Sequence, residues 1–324
     1  MESIILPSNQ PTARFYRGGE RISRFRGEPS SASNTPEDWV GSTTSVRGQA
    51  PTGMTRLADG ELLADAVARN PNRWLGERHV ERFGVDTMLL VKLLDAGQRL
   101  PVHAHPDRSF ASRHVLGAHG KAEAWYILTP GLVHLGLVRD VSDDELRMLV
   151  ATQDSAGLLA LMHAVTVAAG DSVFVPHGAL HAIGDGILLA EVQEPEDLSI
   201  LLEWTGFDLD GERDGHLGLG FGVALSAVET RGRSTAEIEG LVRRSVAQGP
   251  ALPGGAEQFF RLDRVDVRHD FAAGFAIVIA LEEAVLTLAS GARRLAAGST
   301  VLVPFAAGPF RIEGAALVAR PPKS

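Results

Sequence analysis

The chain contains no cysteine, which excludes disulfides and leaves any metal site to imidazole and carboxylate ligands. It also lacks an uninterrupted apolar span of membrane length. Its start, Met1-Glu-Ser-Ile-Ile-Leu-Pro7, has neither the basic region nor the long apolar core of a secretory signal. No Lys/Arg-rich run offsets a net charge of -9, so neither nucleic acid nor membrane is expected as a partner. These absences leave a cytoplasmic protein with a small-molecule partner as the expectation. A local basic pocket on an acidic protein still allows that molecule to be phosphorylated.

What is present is an ordinary globular composition over 324 residues, 44% hydrophobic and 22% charged. Thirty-five glycines and seventeen prolines fall between short apolar runs, a pattern of many strands joined by turns. Residues 1–54 read as strands and loops joining a first barrel, with Trp39-Val-Gly-Ser as the early strand. The stretch Arg17–Arg26 reads as a solvated loop. Residues 55–83 are helical, since Leu62, Leu63, Ala66 and Val67 recur at helical spacing until Asn70-Pro71 stops them.

Residues 84–204 form the first barrel, with Met88–Leu94 as a buried strand. A helical insertion at about 142–163 opens with the capping box Ser142-Asp-Asp-Glu145. A helical and loop linker follows at 205–255, helix-prone from Ser234 to Val246. A second barrel spans 256–324, where Gly298-Ser-Thr-Val-Leu-Val-Pro304 repeats the spacing of Gly170-Asp-Ser-Val-Phe-Val-Pro176 but carries no histidine after it. The fold class is mainly β with helical insertions, in two small barrels.

His103-Ala-His105 places two imidazoles on one face of an extended segment, so both rings can meet one ion. Burying both rings without an ion or partner is costly. Glu123 opens the strand-like run Ala-Trp125-Tyr-Ile-Leu128, and His181 follows a tight Pro176-x-Gly178 turn. Taken singly, His79, His114, His119, His134, His163, His216 and His269 read as hydrogen-bonded structural residues, and His177 as a rim residue. Three histidines and a carboxylate without thiolate leave Zn, Mn, Fe and Ni open.

The spacing Gly170-x5-Pro176-x-Gly178-x2-His181 resembles the second signature of cupin barrels, with Asp185 where that signature ends in asparagine. The segments 89–96, Leu100-Pro-Val-His-Ala-His-Pro-Asp107, Gly120-Lys-Ala-Glu-Ala-Trp-Tyr-Ile-Leu128 and Gly186–Gln193 resemble the short bacterial form of type I mannose-6-phosphate isomerases. Trp39 in its Glu-Asp-Trp-Val-Gly-Ser setting adds to the likeness. The resemblance implies a bicupin, two jelly-roll barrels with the metal site in the first only. It also implies an aldose–ketose isomerase with one divalent metal per chain, zinc by preference.

The family's ligands, Gln, His, Glu and His, fall on His103, His105, Glu123 and His181, so an imidazole replaces the amide. Lys121 matches the family lysine and Glu191 the facing glutamate, the two candidates for proton transfer. The family's active-site arginine is replaced by Leu201, or by Ile200 if the gap moves. That leaves Arg108 and Arg113 as candidate substrate contacts. It also keeps open a different or non-phosphorylated sugar, or a sugar-binding cupin without catalysis. The expected assembly is a monomer or homodimer.

Overall fold

The computed structural model describes residues 1–12 and 14–324. It is built from strands with short helices between them, and among the described residues no helix is long and apolar enough to cross a membrane.

The first β unit has two sheets. One orders the strands Val242–Arg243, Ser172–Val175, Glu123–Ile127, Leu188–Gln193, Leu90–Asp95 and Glu37–Val40. The other orders Ile200–Leu201, His103–Ala104, His181–Ile183, Gly131–Leu137 and Met162–Val167. Side-chain alternation along the first sheet sorts its residues cleanly. Trp125, Ile127, Leu189 and Val173 face Val133, Leu135, Val165 and Ile183 of the second sheet in one core. Val91, Leu93, Ala124, Tyr126, Ala190 and Val192 point the opposite way. With both faces covered, Leu90–Asp95 is buried at every position, which is why its sequence reads as one apolar run.

The second β unit is a single eight-stranded sheet. Its longest strands, Ala276–Leu288 and Phe310–Arg320, pair across a bulge between Ala280 and Ala284. A bulge bends and twists a strand, and Gly314 opposite it has φ +100 with no room for a Cβ, which would lie 2.7 Å from the Glu283 carbonyl oxygen. The sheet encloses an apolar cluster that includes Phe271, Val278, Leu286, Val301, Phe310 and Val318. Its other face, through Ile277, Ile279, Leu302, Leu317 and Ala319, packs on the outward face of the first unit.

Four local expectations differ from what is observed. The strand Ile4–Leu6 joins the second unit, pairing with Thr300–Leu302, while Glu37–Val40 pairs with Leu90–Asp95 in the first. The arginine-rich stretch is helical over Glu20–Arg26. The Arg26 side chain is buried there, donating to Asp38 and to Thr300, both at 2.9 Å. The helix expected over 234–246 covers only Thr235–Gly240, since Val242–Arg243 is drawn into the sheet beside Ser172 and Val173. The helices of the insertion, Asp143–Thr152 and Ser155–Ala160, end short of 163, since Met162 already begins a strand.

Candidate metal centre

Two tight local arrangements bring the histidines together. His103 and His181 are direct partners across an antiparallel ladder. The Pro176-x-Gly178 turn docks on the first segment, the Gly178 amide donating to the His105 carbonyl at 2.8 Å. Gly178 has φ +76, and a Cβ there would meet the chain at Ala227 and Glu229 at 3.1 Å, so glycine suits the turn. The imidazole centroids lie 4.0 Å (His103–His181), 4.9 Å (His105–His181) and 5.0 Å (His103–His105) apart.

Each ring is fixed by a backbone carbonyl: His103 Nδ1 to Pro101 at 2.8 Å, His105 Nδ1 to Leu198 at 2.7 Å, His181 Nδ1 to Ala179 at 2.8 Å. A carbonyl only accepts, so each Nδ1 donates its proton and the Nε2 of the neutral ring carries the lone pair. The three rings offer ligand atoms that all lie within 4.8 Å of one another. The Nε2 of His181 is buried with no hydrogen-bond partner.

Burial, then the neighbouring imidazoles, push His103 well below its ordinary range. Burial, then the Lys121 charge, push His105 down to about 3. Neutral, convergent imidazoles of fixed tautomer are what a divalent cation requires, so these residues fit one.

Glu123 lies beside these rings. Its carboxylate oxygens lie 3.0 Å from His105 Nε2 and 3.3 Å from His181 Nε2. Two acceptors at such distances repel unless positive charge stands beside them. The Lys121 ammonium supplies it, ion-paired with Glu123 and donating to His105 Nε2 at 2.9 Å. Trp125 Nε1 donates to the other carboxylate oxygen at 2.9 Å.

Of these groups His103, Lys121 and Glu123 line a cavity of about 540 Å³, with Glu191 and Leu201 among its other walls. One wall is charged and buried. Lys92 Nζ lies 3.4 Å from Glu191 and 3.7 Å from Glu37, 4.7 Å above the Trp39 ring. Glu37 accepts from Tyr16 at 2.5 Å, Trp39 at 2.7 Å and Arg14 at 3.2 Å. Burial alone would raise the Glu37 carboxyl, but Arg14, Lys92 and these hydrogen bonds outweigh it and hold it well below the carboxylate range. Burial likewise opposes charge on Lys92, and Glu37 and Glu191 overcome it, so its pKa is raised. Glu191 is the opposite case. Burial and then the Glu123 charge push its carboxyl up, and its Oε1 has no hydrogen-bond partner.

The expected ligands and both proton-transfer candidates therefore gather in one place. Arg108 and Arg113 do not line this cavity. They sit on the helix Arg108–His114, and Arg113 lines a separate depression of about 310 Å³. His177 lines that depression too and bonds to Glu194 at 2.6 Å, so it is not on the rim of the large cavity. Sequence reasoning missed Arg14, Tyr16, Glu37 and Lys92. A signal existed for Lys92, a lone cation inside Leu89-Leu-Val-Lys-Leu-Leu94, where a buried charge demands a partner.

No family model matches the chain. It is 32% identical over 203 residues to a mannose-6-phosphate isomerase of Streptococcus mutans, a stretch covering 61% of this chain and 58% of that protein. It is 34% identical over 151 residues to mannose-6-phosphate isomerase ManA of Bacillus subtilis, covering 44% of this chain and 47% of that one. The chain thus spans about half the length of these curated relatives.

The crystal structure of the mannose 6-phosphate isomerase from Bacillus subtilis superposes with a TM-score of 0.73 at 23% identity, over 98% of this chain and 99% of that one. The apo form from Salmonella typhimurium superposes with a TM-score of 0.74 at 16% identity, over 100% of both chains. The resemblance to mannose-6-phosphate isomerases read from the motifs is borne out by these relatives in sequence, and the fold of their solved structures extends over the whole chain.

Proposed function

We propose that this chain is a metal-dependent aldose–ketose isomerase of a hexose phosphate, interconverting mannose 6-phosphate and fructose 6-phosphate through a cis-enediol. In this reading the two β units are cupin barrels, and His103, His105, Glu123 and His181 hold one divalent ion in the first, zinc by resemblance to the family. The observation that carries it is the convergence of three imidazoles, each oriented by a carbonyl, beside Glu123, with His103 and Glu123 lining a cavity of about 540 Å³. The named relatives supply the reaction class.

When bound, such an ion acts as a Lewis acid toward negative charge developing on adjacent substrate oxygens. The protein's own part is proton transfer between neighbouring carbons. Lys121 and Glu191 both line the cavity and can carry that proton. The raised carboxyl of Glu191 lies nearer the range useful for a proton carrier than an ordinary carboxylate does. Lys121, held against Glu123 and His105, is placed to anchor the substrate oxygens as well as to exchange a proton.

A free sugar is the second reading, favoured by the apolar Leu201 on the cavity lining. The test is elemental analysis of purified protein, then isomerase assays on mannose 6-phosphate and free mannose before and after chelation. Bound divalent metal, turnover of the phosphorylated sugar and loss of both on chelation are expected. Turnover that survives complete metal removal overturns the metal-dependent reading. Turnover of free mannose alone moves the substrate to the second.

A further inference from the structure

The large cavity has five cationic side chains on its lining, Arg14, Arg47, Lys92, Lys121 and Arg213. Four are already matched by carboxylates. Arg14 meets Glu37 and Asp197, Lys92 meets Glu37 and Glu191, Lys121 meets Glu123, and Arg213 meets Asp214 at 2.7 Å. Arg47 is the exception among the described residues. Its guanidinium has no carboxylate partner, and only its backbone amide is engaged, donating to Asp197 at 3.1 Å.

The turn that carries Arg47 is pinned. Val46 N–H donates to Thr52 at 2.8 Å and Gln49 N–H to Val46 at 2.9 Å, while the Val46 side chain is buried with Trp39 and Leu90. Arg47 itself is exposed, whereas His103, Lys121 and Glu123 of the same cavity are buried. The cavity therefore has a buried end with metal ligands and an exposed end with an uncommitted guanidinium. Its chemistry matches an extended ligand with a polyol at one end and an anion at the other.

We infer that Arg47 binds the phosphate of the sugar substrate and selects phosphorylated over free sugar. The assignment of the other end rests on the isomerase reading above. A guanidinium offers a phosphate two parallel N–H donors, and here no carboxylate must first be displaced. Arg213, already held by Asp214, makes a smaller contribution.

The test is calorimetric binding of mannose 6-phosphate, inorganic phosphate and free mannose to the wild type and to Arg47→Ala, Arg47→Lys and Arg213→Ala, with steady-state kinetics alongside. Arg47→Ala should weaken both phosphorylated and inorganic phosphate ligands about tenfold or more, and raise KM for mannose 6-phosphate rather than lower kcat. Free mannose should bind as before, Arg47→Lys should recover part of the affinity, and Arg213→Ala should lose less. Unchanged affinity of Arg47→Ala for both phosphate ligands overturns the inference, and so does a wild type that binds neither. If the wild type turns over mannose 6-phosphate while Arg47→Ala keeps its KM, the isomerase reading stands without this role for Arg47. If Arg47→Ala loses phosphate binding in a protein that isomerises no sugar, the phosphate site stands and the isomerase reading fails.

Discussion

The two β units use one strand-and-turn device for opposite ends. Gly170–Pro176 and Gly298–Pro304 share the same spacing, and the strands inside them, Ser172–Val175 and Thr300–Val303, are buried throughout. After Pro176 the chain turns through Gly178 into the strand His181–Ile183, whereas after Pro304 it enters the short helix Phe305–Ala307. The interior of the second unit is mostly hydrocarbon, its buried polar side chains being Thr300 and an Asp263 paired with Arg320. That of the first adds a buried seam of Lys92, Glu37, Glu123, Glu191 and histidines. The buried strand ending in proline is common to both; the chemistry depends on a few inward positions being given charge, and on each charge finding a partner.

The sharpest way to break the contrast is His181→Ala, which removes an imidazole nitrogen that has no hydrogen-bond partner. It should abolish metal retention, read by elemental analysis, and lower kcat about a thousandfold or more, the size of losing Lewis-acid stabilisation worth several kcal/mol. Full activity without metal would show the seam is not the reaction centre.

A matched pair comes next. Lys92→Met leaves Glu37 and Glu191 buried without their shared cation and should cost about 3–5 kcal/mol of stability. Phe310→Ala, which unstacks Phe310 from Phe271 at 5.0 Å in the second unit, should cost a similar amount, about 3–5 kcal/mol. Urea titration measures both. Kinetics per folded molecule should separate them, with kcat falling for Lys92→Met and holding for Phe310→Ala.

The seam should also make the first unit acid-sensitive. His105 is held at about 3 against an ordinary 6.5, so between those values the unfolded chain takes up a proton that the folded chain refuses. Stability then falls as pH drops from 6.5 toward 3, by at most about 1.4 kcal/mol per pH unit for one such group, and is unaffected by this group at higher pH. Urea midpoints across that window should show the slope, reduced in His105→Asn.

The smallest effect tests the helical insertion that only the first unit carries. The Ser142 hydroxyl accepts from the Glu145 amide at 3.2 Å, and Ser142→Ala should cost about 1 kcal/mol without changing KM.

His103, His105 and His181 were legible because their geometry is local: an i, i+2 pair on a strand and a Pro-x-Gly turn. The same holds for the helix cap at Ser142, where the serine accepts from Glu145. Arg14, Tyr16, Glu37 and Lys92 were not, since they come from separate segments and meet only when Glu37–Val40 pairs with Leu90–Asp95. Arg26 misled for the same reason: an arginine in a polar, glycine- and serine-rich stretch looks solvated until Asp38 and Thr300 close around it. Arg108 and Arg113 were offered in place of the family's missing arginine, but neither lines the cavity, and Arg113 lines a separate depression.

By itself, then, the order of residues determined the mainly β architecture, its turns and the histidine pair, because alternation, glycine and proline act over a few residues at a time. Only the tertiary structure decided which buried charges share a cavity, which of its cations is left unpaired, and that the Ile4–Leu6 strand completes the distant sheet. Those outcomes depend on Coulomb pairing and ladder hydrogen bonds between segments far apart in the chain, and no local pattern encodes them.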